Sequence, residues 1–196
     1  MGGFTFRANI NNIQVLNELK QDKKMLLSLA NNHTVNGGYE GIITSKQILS
    51  EHNIGYFGAG ETEEEARQIF VSEENGIKVC FQTYSYDGRK NIRVGGGNIT
   101  RNPLIKDDIL EDIEIMKQMN CDAKIVSLHR GAEYRHSPNQ ANKNLAHEII
   151  DAGADLILGG HSHIPGDYEK YNGKYIFYSF GNFIFDQGRG KRARES

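Results

Sequence analysis

The stretch that decides the fold is residues 156–163, which read LILGGHSH. An apolar run of strand type ends here in two glycines, and His161 and His163 follow one residue apart. Side chains alternate between the faces of a strand, so these two imidazoles converge only where the backbone turns. The glycine pair permits such a turn, because glycine adopts positive φ at little cost. Histidine is the commonest metal ligand among side chains, and the alternative is a polar loop in which backbone groups satisfy each ring.

The composition is that of a soluble, globular chain. Of its 196 residues 38% are hydrophobic and 24% charged, which suits one domain with a sizeable core. We predict that this domain covers residues 1–188 and that residues 189–196 form a solvated basic tail. The net charge of −2 gives no electrostatic case for nucleic acid or a membrane surface as a partner. No apolar run reaches the length of a membrane span and no signal-peptide pattern opens the chain, so the sequence as given predicts a cytoplasmic protein.

Two cysteines, Cys80 and Cys121, lie far apart in the sequence. The first falls in a predicted strand and the second just before another. We interpret them as small buried hydrophobic residues in a reducing compartment rather than as a disulfide.

Strand and helix patterns alternate along the chain, which predicts an α/β fold. Predicted helices cover residues 10–19, 42–49, 63–68 and 140–151, and a further helix opens at Asn102-Pro103 with a buried stripe of Ile105, Ile109, Ile113 and Met116. Predicted strands cover residues 25–30, 54–57, 69–72, 77–84, 124–128, 154–158, 168–171 and 174–178, and a last apolar run covers 183–185. Asn-Gly pairs at 75–76 and 172–173 predict two hairpins. The glycine-rich stretch 87–101 is predicted to be a long loop.

Three of the predicted strands end on side chains that can bind a metal. Asn32 and His33 follow the first strand, His129 ends a later one, and His161 and His163 follow the strand quoted above. Ligands of open α/β sheets bind outside the carboxyl ends of the strands, and imidazole nitrogen and amide oxygen suit divalent transition metals. The joint pattern therefore predicts a metal site, although each residue alone has an ordinary role as a turn residue or a hydrogen-bonded histidine.

Four spaced motifs resemble those of a known family. They are LANNHT at 29–34, His-x-Gly-x-Glu-Tyr at 129–134, GHSH at 160–163 and YSFGNF at 178–183. They occur in the order seen in the CapA-like poly-γ-glutamate capsule biosynthesis family, which belongs to the calcineurin-like metallophosphoesterase superfamily. The resemblance implies a four-layer α/β/β/α sandwich, in which two β-sheets pack face to face between outer helices.

The resemblance also implies residue roles. Asn32, His129 and His161 are similar to three ligands of one metal, and His163 is similar to a ligand of a neighbouring metal. His33 resembles the histidine that hydrogen-bonds a phosphoryl oxygen and assists the leaving group, as a protonated imidazole can do. Two metals about 3.5–4 Å apart can hold a phosphate ester and lower the pKa of bound water to about 7.

Five further side chains are expected near the metal ligands or the substrate. Glu133 and Tyr134 either contact these groups or serve as a helix-cap carboxylate and a packed ring. Arg130 and Arg135 could meet a phosphorylated or anionic polymer substrate, polyglutamate among them, although a loop arginine is usually just solvated. Asn36 stands where the family often has aspartate, and Arg130 stands where an aromatic residue is common.

The resemblance breaks near the N-terminus. The family's domain begins with a strand ending in Gly-Asp and a second acidic segment around Asn-Leu-Glu, and both help to supply carboxylate ligands. Neither occurs before Asn32, where Glu18 and Asp22 are the only acidic residues. We therefore expect a chain that is truncated relative to the family and lacks its first strand or strands. It would bind one divalent ion (Mn, Fe or Zn), or bind metal weakly, where the full-length family holds two.

Three functions stay open on this basis. The first is a metal-dependent phosphoesterase-type hydrolase in poly-γ-glutamate capsule biosynthesis, with His33 as the acid and little activity in this chain. The second is a non-catalytic factor for assembly or transport of the capsule polymer. The third is a truncated, catalytically impaired fragment, for which a missing N-terminal anchor would also mean a cell-surface or membrane-associated location.

Overall fold

The computed structural model describes residues 8–183 and divides the chain into two compact units. The first unit comprises Met1–Gln68 and Asp87–Pro103, and the second comprises Ile69–Tyr86 and Leu104–Ser196. Both contain helices and strands, so the predicted mixture of the two is confirmed. The extent of a single domain over residues 1–188 stays a prediction.

The elements follow one another in the order that the alternating sequence patterns indicate. The helices are α1 (Ile13–Lys20), which a short 3-10 turn precedes, α2 (Gly38–Glu51), α3 (Glu63–Ala66), α4 (Lys106–Gln118) and α5 (Gln140–Asp151). The first strands are β1 (Met25–Ser28), β2 (Ile54–Phe57), β3 (Ala59–Gly60), β4 (Phe70–Glu74), β5 (Ile77–Ser85) and β6 (Ile92–Val94). The remaining strands are β7 (Gly97–Arg101), β8 (Ala123–His129), β9 (Leu156–Gly160), β10 (Tyr168–Tyr171) and β11 (Lys174–Phe177).

A six-stranded sheet forms the centre of the second unit, in the order β10-β11-β9-β8-β5-β4. Strands β5, β8, β9 and β11 are parallel, and the two edge strands pair antiparallel with their neighbours. A single hydrophobic cluster joins α4 and α5 to this sheet, with Ile109 and Ile149 from the helices packed on Val126 and Ile157 from the strands. Burial of these apolar side chains holds the parallel strands in place from one face.

The first unit contains two small sheets. Strands β1 and β2 pair in parallel and are connected through α2, while β3, β7 and β6 form an antiparallel sheet. Gly97 of β7 lies directly against the ring of Tyr39, where a Cβ atom would come within 2.4 Å of the ring carbons. A larger residue at position 97 would therefore displace the Tyr39 ring.

Several predicted elements are confirmed and others are wrong. Both Asn-Gly hairpins form, and in each the Asn and the Gly have positive φ. The stretch 87–101 is not a long loop, because β6 and β7 form a hairpin within it whose two short strands are joined by glycines. Helix α4 begins at Lys106 rather than at Asn102, which is buried and donates its backbone N–H to the carbonyl of Gly58. Ile105 consequently lies before the helix and is 43% exposed.

The two cysteines form a disulfide, so their prediction as separate reduced residues is wrong. Cys80 of β5 and Cys121, which precedes β8, have Cα atoms 5.9 Å apart and are 0% and 7% exposed. Parallel pairing of β5 with β8 brings together positions separated by 41 residues in the sequence. No local pattern reveals that proximity, and the cysteine argument for a reducing compartment no longer holds.

Two segments for which predictions were made lie wholly or partly outside the described residues. Of the last apolar run only Phe183 is described, and the predicted basic tail at 189–196 falls beyond residue 183. Between residues 8 and 183, no helix combines the length and the apolar composition needed to cross a membrane.

Reduction of the disulfide should destabilise the protein. The bond closes a loop of 41 residues, and the loss of loop-closure restraint on the unfolded chain corresponds to about 3–4 kcal/mol of unfolding free energy. We expect this loss for a Cys80→Ala/Cys121→Ala variant in urea-induced unfolding. Dithiothreitol should lower the stability of the wild type by a similar amount and leave the variant unchanged. Equal stability of the reduced and oxidised wild type would contradict the prediction.

Candidate functional site

Three parallel strands of the second unit end together at one edge of the sheet. Ser85, His129 and Gly160 are in register across β5, β8 and β9, and each is the last residue of its strand. Tyr86, which follows Ser85, donates its backbone N–H to the carbonyl oxygen of His129 at 3.0 Å. Because carboxyl ends of parallel strands share an edge, His129 and the residue after Gly160 become neighbours there.

The rings of the predicted histidines gather at this edge. The ring centroids of His129 and His161 are 4.9 Å apart, and those of His161 and His163 are 6.3 Å apart. The ring of Tyr86 lies 4.6 Å from that of His161, and the ring of Tyr134 stacks on His163 at 5.7 Å. The second unit thus brings three imidazoles and two phenol rings into one cluster, in which the imidazoles and Tyr134 are half-buried and Tyr86 is exposed.

The turn that carries the histidines differs from the expected one. His161 and His163 themselves have positive φ, at 92° and 63°, whereas Gly159 and Gly160 belong to β9 and have ordinary φ values. The glycines are needed for close approach instead, because a Cβ on Gly159 would lie 2.1 Å from the carbonyl oxygen of Tyr178. Positive φ at a residue with a Cβ costs about 1–3 kcal/mol and is concentrated at functional sites. The turn that the glycine pair was expected to permit is therefore made by the histidines themselves.

Two histidines are oriented by asparagine side chains. His163 donates from Nδ1 to Oδ1 of Asn182 at 2.9 Å, and in the first unit His33 donates from Nδ1 to Oδ1 of Asn36 at 2.8 Å. An amide oxygen only accepts hydrogen bonds, so the proton of each neutral ring is on Nδ1 and the lone pair is on Nε2. This is the tautomer that a metal-binding imidazole adopts when its other nitrogen is held by the protein.

In the first unit, Asn32 and His33 lie in a turn that follows β1. The backbone N–H of His33 donates to Oδ1 of Asn31 at 2.9 Å, which holds the turn from within. Arg101 holds it from outside, because its Nη1 donates to the carbonyl oxygen of Asn31 at 3.0 Å while its Nη2 pairs with the carboxylate of Asp87 at 3.1 Å. No role was predicted for the Arg101 side chain, because residues 87–101 were predicted to form a long loop.

The other predicted site residues lie in the segment after β8. Glu133 is exposed, and Arg130 is half-buried beside a cavity of about 280 Å³. Burial lowers the pKa of the Arg130 guanidinium, because removal from water disfavours its charged form. Arg135 lines the same cavity. The roles predicted for all of these residues stay predictions.

Two imidazoles of the second unit could serve as ligands of a transition metal. His129 and His161 offer two adjacent imidazoles, and these suit such ions without further charge. Across residues 8–183, however, no group of three or more histidine, cysteine or acidic side chains is arranged as a metal cage. Water would have to complete the coordination, which is a poor basis for tight binding.

Comparison of the whole sequence with protein families decides which family the chain represents. The family described as "Bacterial capsule synthesis protein PGA_cap" matches residues 1–187. The chain belongs to this family. It is 32% identical over 178 residues to the capsule biosynthesis protein CapA of Bacillus anthracis, covering 89% of this chain and 43% of that protein. It is 33% identical over 182 residues to the PGA biosynthesis protein CapA of Bacillus subtilis, covering 91% and 47%. The chain therefore spans a little under half the length of these relatives.

Two solved structures support the predicted α/β fold. A crystal structure titled "Putative 5'-Nucleotidase from Staphylococcus aureus" superposes with a TM-score of 0.57 at 13% identity, covering 85% of this chain and 34% of that one. The crystal structure of a hypothetical protein from Thermus thermophilus gives a TM-score of 0.54 at 17% identity, covering 87% and 57%. At these identities the likeness concerns the fold alone.

The strain at His163 can be measured by comparing glycine with alanine. Glycine adopts positive φ without the Cβ penalty, so His163→Gly should be more stable than His163→Ala by about 1 kcal/mol. At His147, inside α5, the alanine variant should instead be more stable than the glycine variant by a similar amount, because glycine is unfavourable in a helix. Urea-induced unfolding of the four variants tests this. The same order at both positions would contradict a strained backbone at His163.

Removal of the Arg101 contacts should loosen the turn that carries Asn32 and His33. Arg101→Met keeps the length of the side chain and loses its hydrogen bonds, so we expect about 2 kcal/mol lower stability. Backbone amides of residues 31–36 should exchange hydrogen faster. Arg89→Met, at an exposed arginine of the same unit, is the matched control and should change neither quantity. Unchanged exchange at 31–36 in Arg101→Met would exclude the positioning role.

Proposed function

We propose that this protein acts in the biosynthesis of a poly-γ-glutamate capsule, through a metal-dependent site of phosphoesterase type with low turnover in the chain as given. Membership of the capsule synthesis family supports the biological role. The proposal of a metal-dependent site rests on one observation. The ring centroids of His129 and His161 lie 4.9 Å apart at the carboxyl edge of the central sheet. This edge is where α/β sheets bind their ligands.

The histidines of the second unit would hold the ion. His129 and His161 are the adjacent donors, and His163 offers Nε2 while Asn182 holds its Nδ1. Imidazole nitrogen suits zinc and iron, and manganese is the third ion that this proposal includes. When bound, such an ion polarises a phosphoryl oxygen and activates water at neutral pH. The family resemblance alone adds Asn32 to this ligand set.

The chain's own side chains would prepare the site for a phosphate ester. Asn182 and the stacked ring of Tyr134 fix the orientation of His163, while the ring of Tyr86 covers one side of His161. Asn36 holds Nδ1 of His33, so the proton that a doubly protonated His33 passes to a leaving group would come from Nε2. The role of His33 as an acid rests on the resemblance.

The charge balance supports one ion rather than two. Two cations about 3.5–4 Å apart repel each other unless a carboxylate lies between them. The ring contacts of the described histidine cluster join imidazole and phenol rings, and within residues 8–183 no group of three or more histidine, cysteine or acidic side chains is placed to hold an ion. A single ion with water ligands is the arrangement that this chemistry favours.

Metal binding tests the site directly. We expect the wild type to retain at most one manganese or zinc ion per chain after dialysis, and His161→Ala to weaken binding at least tenfold in calorimetric titration, because it removes one of two adjacent donors. His147→Ala is the control, since this histidine lies within α5, pairs with Glu169 and belongs to no strand end. Two tightly held ions per chain, or equal binding by His161→Ala, would refute the proposal.

Hydrolysis of bis(p-nitrophenyl) phosphate with added manganese tests the reaction. We expect slow turnover that His33→Ala lowers by about a hundredfold, in line with the loss of a general acid. The rate of His52→Ala, which removes a histidine at the end of α2, should match that of the wild type. Equal rates for His33→Ala and the wild type would remove His33 from the mechanism.

A non-catalytic assembly factor is the second candidate. The lack of an acidic metal cage within residues 8–183 is the observation that favours it. Binding of γ-linked polyglutamate by a protein that shows no metal-dependent hydrolysis would identify this function.

A further inference from the structure

We propose that the cavity beside Arg130 binds a carboxylate-bearing segment of a γ-linked glutamate polymer. The inference rests on the proposed role in poly-γ-glutamate biosynthesis and gives that role a location on the chain. The cavity, of about 280 Å³, lies entirely within the second unit, between the segment that leaves β8, the first turn of α5 and the end of β11.

The charge of the cavity is of one sign. Arg130 and Arg135 line it, and none of its lining residues is aspartate or glutamate. Neither arginine forms an ion pair with a carboxylate of residues 8–183. Arg130 is nevertheless half-buried, and a guanidinium that is withdrawn from water is costly unless an anion or hydrogen-bond acceptors compensate it. An anionic ligand would provide that compensation.

The start of α5 adds a second source of positive potential. Asn139 is the N-cap of this helix of 12 residues, and its side chain accepts from the backbone N–H of Asn142. Both asparagines line the cavity. The amino end of a helix carries a partial positive charge, which reinforces the two arginines.

The remaining surface of the cavity explains why a glutamate polymer fits better than a compact anion. Leu128, Ala146, Ile157 and Phe177 provide an apolar part of the lining. A γ-linked polyglutamate has two methylene groups and one carboxylate in each residue, so it can present apolar surface and negative charge together. Arginine binds carboxylates through two parallel hydrogen bonds, which adds geometry to charge.

The cavity adjoins the histidine cluster along the chain. Arg130 directly follows His129, and Ser162, which lies between His161 and His163, also lines the cavity. Adjacent residues of an extended segment point to opposite faces. The ring of His129 and the guanidinium of Arg130 are therefore directed to opposite sides at the end of β8. A polymer held at Arg130 would lie on the other side of this strand end from the imidazoles.

Fluorescence anisotropy with a labelled γ-glutamate decamer tests this inference in buffer that contains EDTA. We expect the wild type to bind, Arg130→Gln to bind at least tenfold more weakly, and Arg130→Lys to lie between them because it keeps charge without the planar fork. Arg135→Gln should also weaken binding. Lys117→Gln is the matched control for the loss of one positive charge. Lys117 is in the last turn of α4 and outside the cavity lining, so this variant should bind like the wild type.

Two competitors define the chemistry of the ligand. A decamer of γ-linked glutamine, which lacks the carboxylates, should not displace the labelled polymer, whereas unlabelled γ-glutamate should. Displacement by inorganic phosphate at lower concentration than by free glutarate would overturn the carboxylate assignment. Equal binding by Arg130→Gln and the wild type, or no binding by the wild type, would overturn the inference altogether. Since the assay contains no metal, none of these outcomes depends on whether the histidines bind an ion.

Discussion

The parallel pairing of β5, β8 and β9 is the constraint on which the candidate site depends. Their common register brings Ser85, His129 and Gly160 to the same edge of the sheet. A shift of one residue would send each side chain to the opposite face and separate His129 from His161. Gly159 fixes this arrangement further, because the carbonyl of Tyr178 occupies the space where any larger residue would place its Cβ. The geometry of the imidazoles therefore follows from backbone packing.

The second unit separates two kinds of chemistry that lie next to each other in the chain. Imidazoles at the strand ends suit a metal ion. The positive φ of His161 and His163 costs conformational free energy, and such strained residues are concentrated at functional sites. Arginines after β8 and at the cavity suit an anion, and no acidic residue of the cavity lining neutralises them. Because adjacent residues of an extended segment point to opposite faces, His129 and Arg130 direct these two kinds of side chain to opposite sides of one strand end.

Much of the fold and part of the site could be predicted from local sequence patterns. The Asn-Gly hairpins and α5 depend on short-range turn and periodicity signals, and the strand-end positions of His129 and His161 follow from them. The predictions that were wrong depend on contacts between residues that are far apart in the sequence. The Cys80–Cys121 disulfide joins residues that only strand pairing brings together, and the β6–β7 hairpin is hidden by its glycines. Positive φ was expected at the glycines and lies at His161 and His163 instead, while Gly159 is needed for its close approach to Tyr178.

We propose that the edge formed by His129 and His161 binds one divalent ion. Anomalous diffraction from crystals soaked in manganese tests this most directly, because the scattering peak reports both the number and the position of bound ions. We expect a single peak, bonded to imidazole nitrogens of His129 and His161 and absent from His161→Ala crystals. Two peaks of equal height at this edge, or a peak only at acidic surface residues, would contradict it.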